Sequence, residues 1–410
     1  VDASTSPRRA IVLVADACGV GALPDAEEYG DAGTNTLAHL AQRVGGLRVP
    51  TLAALGLGSI VAIEGVPAAA NPALHGRLHP LGPGKDSITG HWELMGVVLE
   101  RPLPTYPQGF PRELVARLAA ATGRELICNA PRNGIAAIAE FGAEHVRSGA
   151  LILYTSQDSV LQLAAHVDVV PPRELYAACV AARATLTGEH AVGRVIARPF
   201  EGREGAFSRT DGRRDLALMP PSRSYLQELD DAGVEVHGVG KIHDLFAGVG
   251  VTRSHPGATN AGALANVDAV LDRIDRGLVF ANLIETDQTY GHRKDVEGFA
   301  RALRELDAYL AGALERLRDD DLLIVTADHG VDPAHPGSDH TREYAPLLAA
   351  SGRLWRTISP TRARTHAQGS SRTGRGAHRH DGPLADVGAT VLRWLTGREA
   401  PTLPGRAFTI

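Results

Sequence analysis

The sequence predicts an α/β core interrupted by an inserted α+β domain. Three observations carry that expectation. Short apolar, β-branched runs at Arg9–Asp16, Leu278–Ile284 and Leu322–Thr326 each give way to acidic residues, two of them followed by imidazoles. Open α/β sheets place their ligands at the carboxyl ends of such buried strands. Segments of helical spacing separate the runs, the clearest being Val296, Phe299, Leu303, Leu306, Leu310, Leu314 and Leu317. From about Pro102 to Leu218 the rhythm changes, and the proline-bearing stretches ERPLPTYPQG and ALMPPSRS flank the change. The expected organisation is a discontinuous core, 1–101 with 219–410, and an inserted domain at 102–218.

At 410 residues the chain exceeds the length at which single cores usually split. Hydrophobic content of 44% and charged content of 22% fit a globular protein. No apolar stretch reaches the roughly 18 residues of a membrane span, so no membrane association is expected. VDASTSPRRA leads into a strand and not into a signal-peptide core, which makes a cytoplasmic enzyme the expectation. Val1 is open to reading as an alternative start or a trimmed end. A net charge of −5 gives no basic face for nucleic acid. Cys18, Cys128 and Cys179 are odd in number and widely spaced, as reduced thiols are. Nothing points to an obligate protein partner.

Taken in order, Arg9–Asp16 is a strand ending in an acid. The following GVGALP lacks the third glycine of a dinucleotide-binding turn. Asn35–Arg43 and Thr51–Leu57 read as helices covering the sheet. In GKDSITGHWE, Asp86 can cap a helix beginning near Ser87, with Trp92, Leu94, Met95 and Val98 as its apolar positions. A hydroxyl at a helix N-terminus suits phosphate, because unpaired N–H groups and the positive end of the dipole lie beside it. In the inserted domain, helices Pro111–Ala121 and Arg173–Leu186 alternate with strands Leu151–Thr155 and Gly193–Pro199. Asp158, Arg194, Arg198, Arg209, Arg213 and Arg214 give that domain more charge than packing requires.

The α/β rhythm then resumes with a helix at Tyr225–Ala232, a strand at Val234–Val239 and a helix after Gly240 and Lys241. GVGKIHD lacks the spacing of a phosphate loop. A helix at Asn260–Asp275 precedes the strand Leu278–Ile284, which ends in Glu285, Asp287 and His292. Leu322–Thr326 ends at Asp328 and His329, with His340 following a Pro- and Gly-punctuated loop. Tyr344–Ala349 is one more strand and Leu384–Leu395 a closing helix. Residues 353–380, rich in Arg, Ser, Thr, Gly and His without periodicity, read as a flexible insertion, either a surface loop or an anion-binding arm.

Together Asp16, Ser87, Asp287, His292, Asp328, His329 and His340 are acids, imidazoles and one hydroxyl, several at strand ends. Two divalent ions need about that many ligands if each keeps a position open for substrate. Carboxylates mixed with three imidazoles favour Mn²⁺ or Zn²⁺ over Mg²⁺. Such a pair can lower a hydroxyl's pKa and neutralise a transferring phosphoryl group.

This constellation resembles the alkaline phosphatase superfamily. Within it, ADACGVGALPDA, GKDSITGHWELMG, LYTSQDSVLQLAAH, VGRVIARPF, NLIETDQTYGHRKD, TADHG and GSDHTREYAPLL resemble the phosphopentomutases over nearly the whole chain. The resemblance implies an alkaline phosphatase-like metal-binding core with an inserted α+β cap. It implies that Asp16, Asp328 and His329 hold one metal and that Asp287, His292 and His340 hold the other. Ser87 stands where the family carries its phosphoryl group; many members have threonine there, and the hydroxyl is kept. Thr89 is the alternative nucleophile. Glu285 stands where many relatives have aspartate, close to the metals. Ser156 and Asp158 would accept hydrogen bonds from ribose hydroxyls, while Arg194, Arg209 and Lys241 would hold the remote phosphate.

The activity so implied is interconversion of ribose 1-phosphate and ribose 5-phosphate, 2-deoxy sugars included, in nucleoside salvage. It would run through a phosphoserine intermediate, with two ions, Mn²⁺ foremost, and a sugar bisphosphate as priming activator. Pentose phosphates are the only partners implied. The alternatives on the same core are a metal-dependent phosphatase or phosphodiesterase, a phosphoglycerate mutase, and an anion-binding protein without turnover. Residues 353–380 lie outside every family motif.

Overall fold

Strands are numbered along the chain, and the core sheet is built from β1 (Arg9–Ala15), β2 (Leu74–His79) and β9–β14. The last six are β9 (Val236–Val239), β10 (Arg253–His255), β11 (Gly277–Leu283), β12 (Asp321–Thr326), β13 (Ala345–Ser351) and β14 (Gly382–Pro383). The structure is a computed structural model and describes residues 7–156, 158–337, 339–359 and 379–410. The chain divides into two compact units, Val1–Arg101 with Pro220–Ile410, and Pro102–Met219.

The first unit holds an eight-stranded sheet in the order β10-β9-β11-β1-β12-β13-β2-β14. β1, β11 and β12 are buried along their whole length, as the continuous Val, Ile and Leu runs require of strands covered on both faces. Their register is parallel and level: Ala15 lies opposite Leu283, and Val14 opposite Thr326. Three neighbouring strands therefore release their chains at one edge, and Asp16, Asp287 and Asp328 all follow within four residues of that edge. The sheet is mixed, because β13 runs antiparallel to both β12 and β2. β2 was not expected; LHGRLH has neither alternation nor a long apolar run, and only its pairing with β13 makes it a strand.

The amphipathic helix Val296–Arg316 buries Phe299, Leu303, Leu306, Leu310 and Leu314. Its Asp307 accepts the Leu52 N–H at 2.7 Å, which satisfies a free donor at the start of Pro50–Leu55. The segment read as one helix at Thr51–Leu57 is two, Pro50–Leu55 and Leu57–Ile60, broken at Gly56 with φ of 120°. A Cβ there would also lie 2.9 Å from the His75 side chain. The helix opened by Ser87 ends at Leu94, so Met95 and Val98 fall beyond it. The reading of 353–380 as wholly irregular is corrected at its start, where Arg353–Ile358 belong to the helix Gly352–Ile358, capped by the Ser351 side chain. Residues 360–378 lie outside the described residues, as do 1–6. Among the described residues no helix is long and apolar enough to cross a membrane.

The second unit is a smaller sheet, β3-β4-β5-β6-β7, with β8 also paired to β6. Its strands are β3 (Leu126–Pro131), β4 (Leu151–Thr155), β5 (Val160–His166), β6 (Arg194–Glu201), β7 (Ser208–Arg209) and β8 (Arg214–Ala217). Alternation sorts the two faces. Leu151, Leu153, Leu161 and Leu163 pack with Leu114, Leu118, Leu175 and Cys179 of helices Arg112–Thr122 and Pro172–Thr185. Ile152, Tyr154 and Ala164 pack on the other face against Ala137 and Ile138 of Gly134–Ser148.

Candidate metal centre

The edge formed by β1, β11 and β12 gathers all six residues expected to bind metal. Asp16, Asp328 and His329 form one buried group and Asp287, His329 and His340 another, the ligand atoms in each lying within 4.8 Å of one another. His292 joins the second group, its Nε2 3.4 Å from Asp287 Oδ1 and 3.2 Å from His340 Nε2. His329 is thus shared between the groups, which the sequence did not foretell.

These separations suit an ion. Two ligands bound tetrahedrally at about 2.1 Å lie about 3.4 Å apart. Asp16 Oδ1 and Asp328 Oδ2 are each 3.4 Å from His329 Nε2, and Asp287 Oδ1 is 3.3 Å from His340 Nε2. Asp287 Oδ1 and Asp328 Oδ2 are buried among imidazoles, the first 3.3 Å from His340 Nε2 and the second 3.0 Å from His91 Nδ1 and 3.4 Å from His329 Nε2. Three buried carboxylates gathered at one point are costly unless a cation neutralises them. The His329 tautomer is fixed to match: Nδ1 lies 3.1 Å from the Gly330 carbonyl, which can only accept, so Nε2 presents its lone pair to the cluster. Burial also lowers the His329 pKa, which favours that neutral ring.

The carboxylates strain against one another. Burial, then Asp328 and Asp287, push Asp16 well above the usual carboxylate range. Burial pushes Asp287 up too, but His340, His329 and His292 hold it at about 2. Asp328 is likewise held low against burial by His329 and His91. A divalent ion would relieve the repulsion felt by Asp16.

Ser87 opens the helix Ser87–Leu94 beside this cluster. Its Oγ is 3.1 Å from His329 Nε2 and 3.5 Å from Asp16 Oδ1. Asp86 caps the helix by accepting from Ile88 and Thr89 N–H groups at 2.9 and 3.1 Å. The Thr89 hydroxyl donates to Asp86 Oδ2 at 2.9 Å, so it is engaged in the cap while Ser87 faces the ligands. Gly90 permits the approach of this helix, since a Cβ there would stand 2.5 Å from the Asp328 carbonyl oxygen.

Sequence reasoning missed a supporting row behind the candidate ligands. His91 Nδ1 lies 2.8 Å from the Ser87 carbonyl, so it carries the hydrogen and Nε2 accepts from Asn282 Nδ2 at 3.1 Å. Asn282 Nδ2 also donates to Asp16 Oδ2 at 2.8 Å. The signal was present: Asn282 is the one polar side chain in the buried strand GLVFANL. Glu285, by contrast, turns away to accept the Asn260 N–H at 2.6 Å, at the start of the helix Asn260–Leu271. Lys241 hydrogen-bonds Gln288, which follows Asp287.

The remaining expected residues lie in the second unit. Asp158 Oδ2 is 3.6 Å from Arg194 Nη2 at the start of β6, and Ser156 Oγ accepts the Asp158 N–H at 3.3 Å. Burial raises the Tyr154 pKa, and Arg198 and then Arg209, on β7, act against that rise.

A sequence profile of the Metalloenzyme superfamily matches residues 8–397. The phosphopentomutase of Carboxydothermus hydrogenoformans is 49% identical over 342 residues, covering 83% of this chain and 88% of its own. That of Anaeromyxobacter dehalogenans strain 2CP-1 is 52% identical over 349 residues, covering 84% and 90%. That of Caldanaerobacter subterraneus subsp. tengcongensis is 48% identical over 348 residues, covering 84% and 88%. With its α/β core of the alkaline phosphatase-like type, the chain belongs to the metalloenzyme superfamily and, within it, to the phosphopentomutase family.

Proposed function

We propose that this enzyme is a phosphopentomutase that moves a phosphoryl group between O1 and O5 of ribose and 2-deoxyribose phosphates through Ser87. The observation that carries the reading is the Ser87 hydroxyl, set at a helix N-terminus and 3.1 Å from the imidazole shared by both ligand groups. Asp16, Asp328 and His329 would hold one divalent ion and Asp287, His292 and His340 a second, with Mn²⁺ best suited to the donor set. When bound, the ions lower the hydroxyl's pKa and neutralise charge on the transferring group.

The chain's own residues do the rest. Phosphorylated Ser87 would give its phosphoryl group to O5 of ribose 1-phosphate, breaking the Oγ–P bond and forming the sugar bisphosphate. Ser87 Oγ would then take the group from O1, releasing ribose 5-phosphate and restoring phosphoserine. The same bisphosphate would prime unphosphorylated enzyme. The positive end of the helix Ser87–Leu94 favours the added negative charge. In the second unit Ser156 and Asp158 would accept sugar hydroxyls, and Arg194 and Arg209 would pair with the phosphate that does not react. Lys241 would add a point charge. A cytoplasmic location is part of the proposal, in keeping with three unpaired cysteines.

Phosphorus NMR of α-ribose 1-phosphate with Mn²⁺-loaded protein and a trace of ribose 1,5-bisphosphate tests the reading. Ribose 5-phosphate should accumulate with the native chain and not with Ser87→Ala. Release of free phosphate in its place would mean a hydrolase on this fold.

A further inference from the structure

The seven residues ahead of Ser87, PLGPGKD, include two glycines, and a chain so composed does not hold one conformation by itself. Here five backbone polar groups of the loop are held from outside. Glu93 accepts the Leu81 and Gly82 N–H groups at 2.5 and 3.0 Å, and the Tyr29 hydroxyl donates to the Pro83 carbonyl at 3.0 Å. The carbonyls on either side of Pro83 go to a single atom: Arg342 Nη1 donates to Gly82 O at 2.9 Å and to Gly84 O at 2.7 Å.

Arg342 is itself fixed. It is 5% exposed, its Nη2 donates to Asp25 Oδ2 at 2.8 Å, and its guanidinium lies over the Tyr29 ring, 4.9 Å from the centroid. Its backbone N–H donates at 2.8 Å to Asp31 Oδ2, which also accepts from Lys85 Nζ at 2.9 Å. The segment bearing Arg342 is also joined to the metal ligands. His340 lies two residues before it. Thr341 pairs with Gly330 through both backbone bonds, at 2.8 and 3.1 Å, directly after Asp328 and His329. Glu343, just beyond, accepts from Gly21 N, Thr36 N, Thr36 Oγ1 and Thr341 Oγ1. One short stretch, 340–343, thus ties the ligand loops to the loop that delivers the hydroxyl.

We propose that Arg342 is a positioning residue for Ser87, clamping the Gly82 and Gly84 carbonyls so that the hydroxyl enters its helix in register with the metal ligands. The assignment rests on the reading of Ser87 as the phosphoryl carrier. Only a planar fork reaches two carbonyls and a carboxylate at once, so lysine, with one point charge, does not replace it. A displacement of about 1 Å at a reacting group costs on the order of 100-fold in rate.

The test compares Arg342→Lys, Arg342→Gln and Arg342→Ala with the native enzyme by steady-state kinetics, Mn²⁺ calorimetry and thermal unfolding. Folded Lys and Gln variants should lose about 100-fold in kcat while KM and Mn²⁺ affinity stay within about threefold. Guanidinium ion should restore part of the rate to Arg342→Ala and none to Ser87→Ala. Unchanged kcat in a folded Lys variant overturns the proposal. So does Mn²⁺ affinity that falls in step with kcat, which would make Arg342 a support of the ligand loop, and so does failure of both the Lys and Gln variants to fold. If the native enzyme itself yields no ribose 5-phosphate, the Ser87 reading fails and this assignment falls with it, whereas native turnover with an indifferent Arg342→Lys refutes this assignment alone.

Discussion

Replacing Asn282 by leucine should weaken metal binding without touching a proposed metal ligand. The side chain is 1% exposed at the penultimate position of β11, and leucine keeps its branched shape of four heavy atoms. What leucine removes is the donor shared by Asp16 Oδ2 at 2.8 Å and His91 Nε2 at 3.1 Å. The bond to Asp16 is charge-assisted, a class that contributes about 1.5–3 kcal/mol. At about 1.4 kcal/mol per decade that corresponds to roughly 10- to 100-fold in affinity, the range found when groups that orient metal ligands are removed. Asp16 already sits well above the usual carboxylate range through burial and its acidic neighbours, with the Asn282 bond acting against that rise. Losing the bond therefore leaves a ligand that is both less ionised and less well aimed. Calorimetric titration of chelator-stripped protein with Mn²⁺ provides the measurement, with Asn282→Ala as a second variant. An affinity within about twofold of native, in a Leu variant that unfolds at the native temperature, would refute the orienting role given to this residue.

Two further outcomes concern stability. Burial raises the Glu93 carboxyl to about 7 from its ordinary 4.5, against the Leu81 and Gly82 N–H bonds that favour the charged form. The folded protein therefore keeps a proton that the unfolded chain gives up. The stability tied to it is complete below pH 4.5 and is lost as pH rises through 7. Glu93→Gln cannot ionise, so its unfolding free energy should gain about 2–3 kcal/mol relative to native between pH 5 and pH 8; parallel urea-derived curves would exclude the effect. At the opposite end of the sheet, Arg9 Nε and Nη2 hold Asp321 at 2.9 and 2.5 Å, both side chains buried. Asp321→Asn leaves that guanidinium without its charge partner and should cost about 3–5 kcal/mol in urea unfolding while folded protein keeps its Mn²⁺ affinity. A loss under about 1 kcal/mol would show the pair to be dispensable.

Much of the core was readable from the chain alone, because its signals are local. A buried parallel strand reads as an apolar β-branched run and stops where polarity returns, so Asp16, Asp287 and Asp328 could be named from the ends of three such runs. The helix Val296–Arg316 followed from its stripe, and the start of Ser87–Leu94 from Asp86. The inserted region was harder. Gly134–Ser148 and β5 went unread: the helix buries the small residues Gly134, Ala137 and Gly142 while Ile135 and Val146 are exposed, and β5 divides its apolar residues between two faces of a thin sheet, so neither period stands out.

What the sequence determined by itself was the kind of donor at each strand end and the family motifs that carry them. Which strands neighbour one another, and so which donors meet, was decided only in three dimensions. Pairing joins residues hundreds of positions apart, as β1 joins β11 and β12, and no local period records the partner. That is why His329 emerged as shared, Glu285 as turned away, and Asn282 and Arg342 as supports. Their side chains are ordinary in sequence and acquire a role only from what the fold sets beside them.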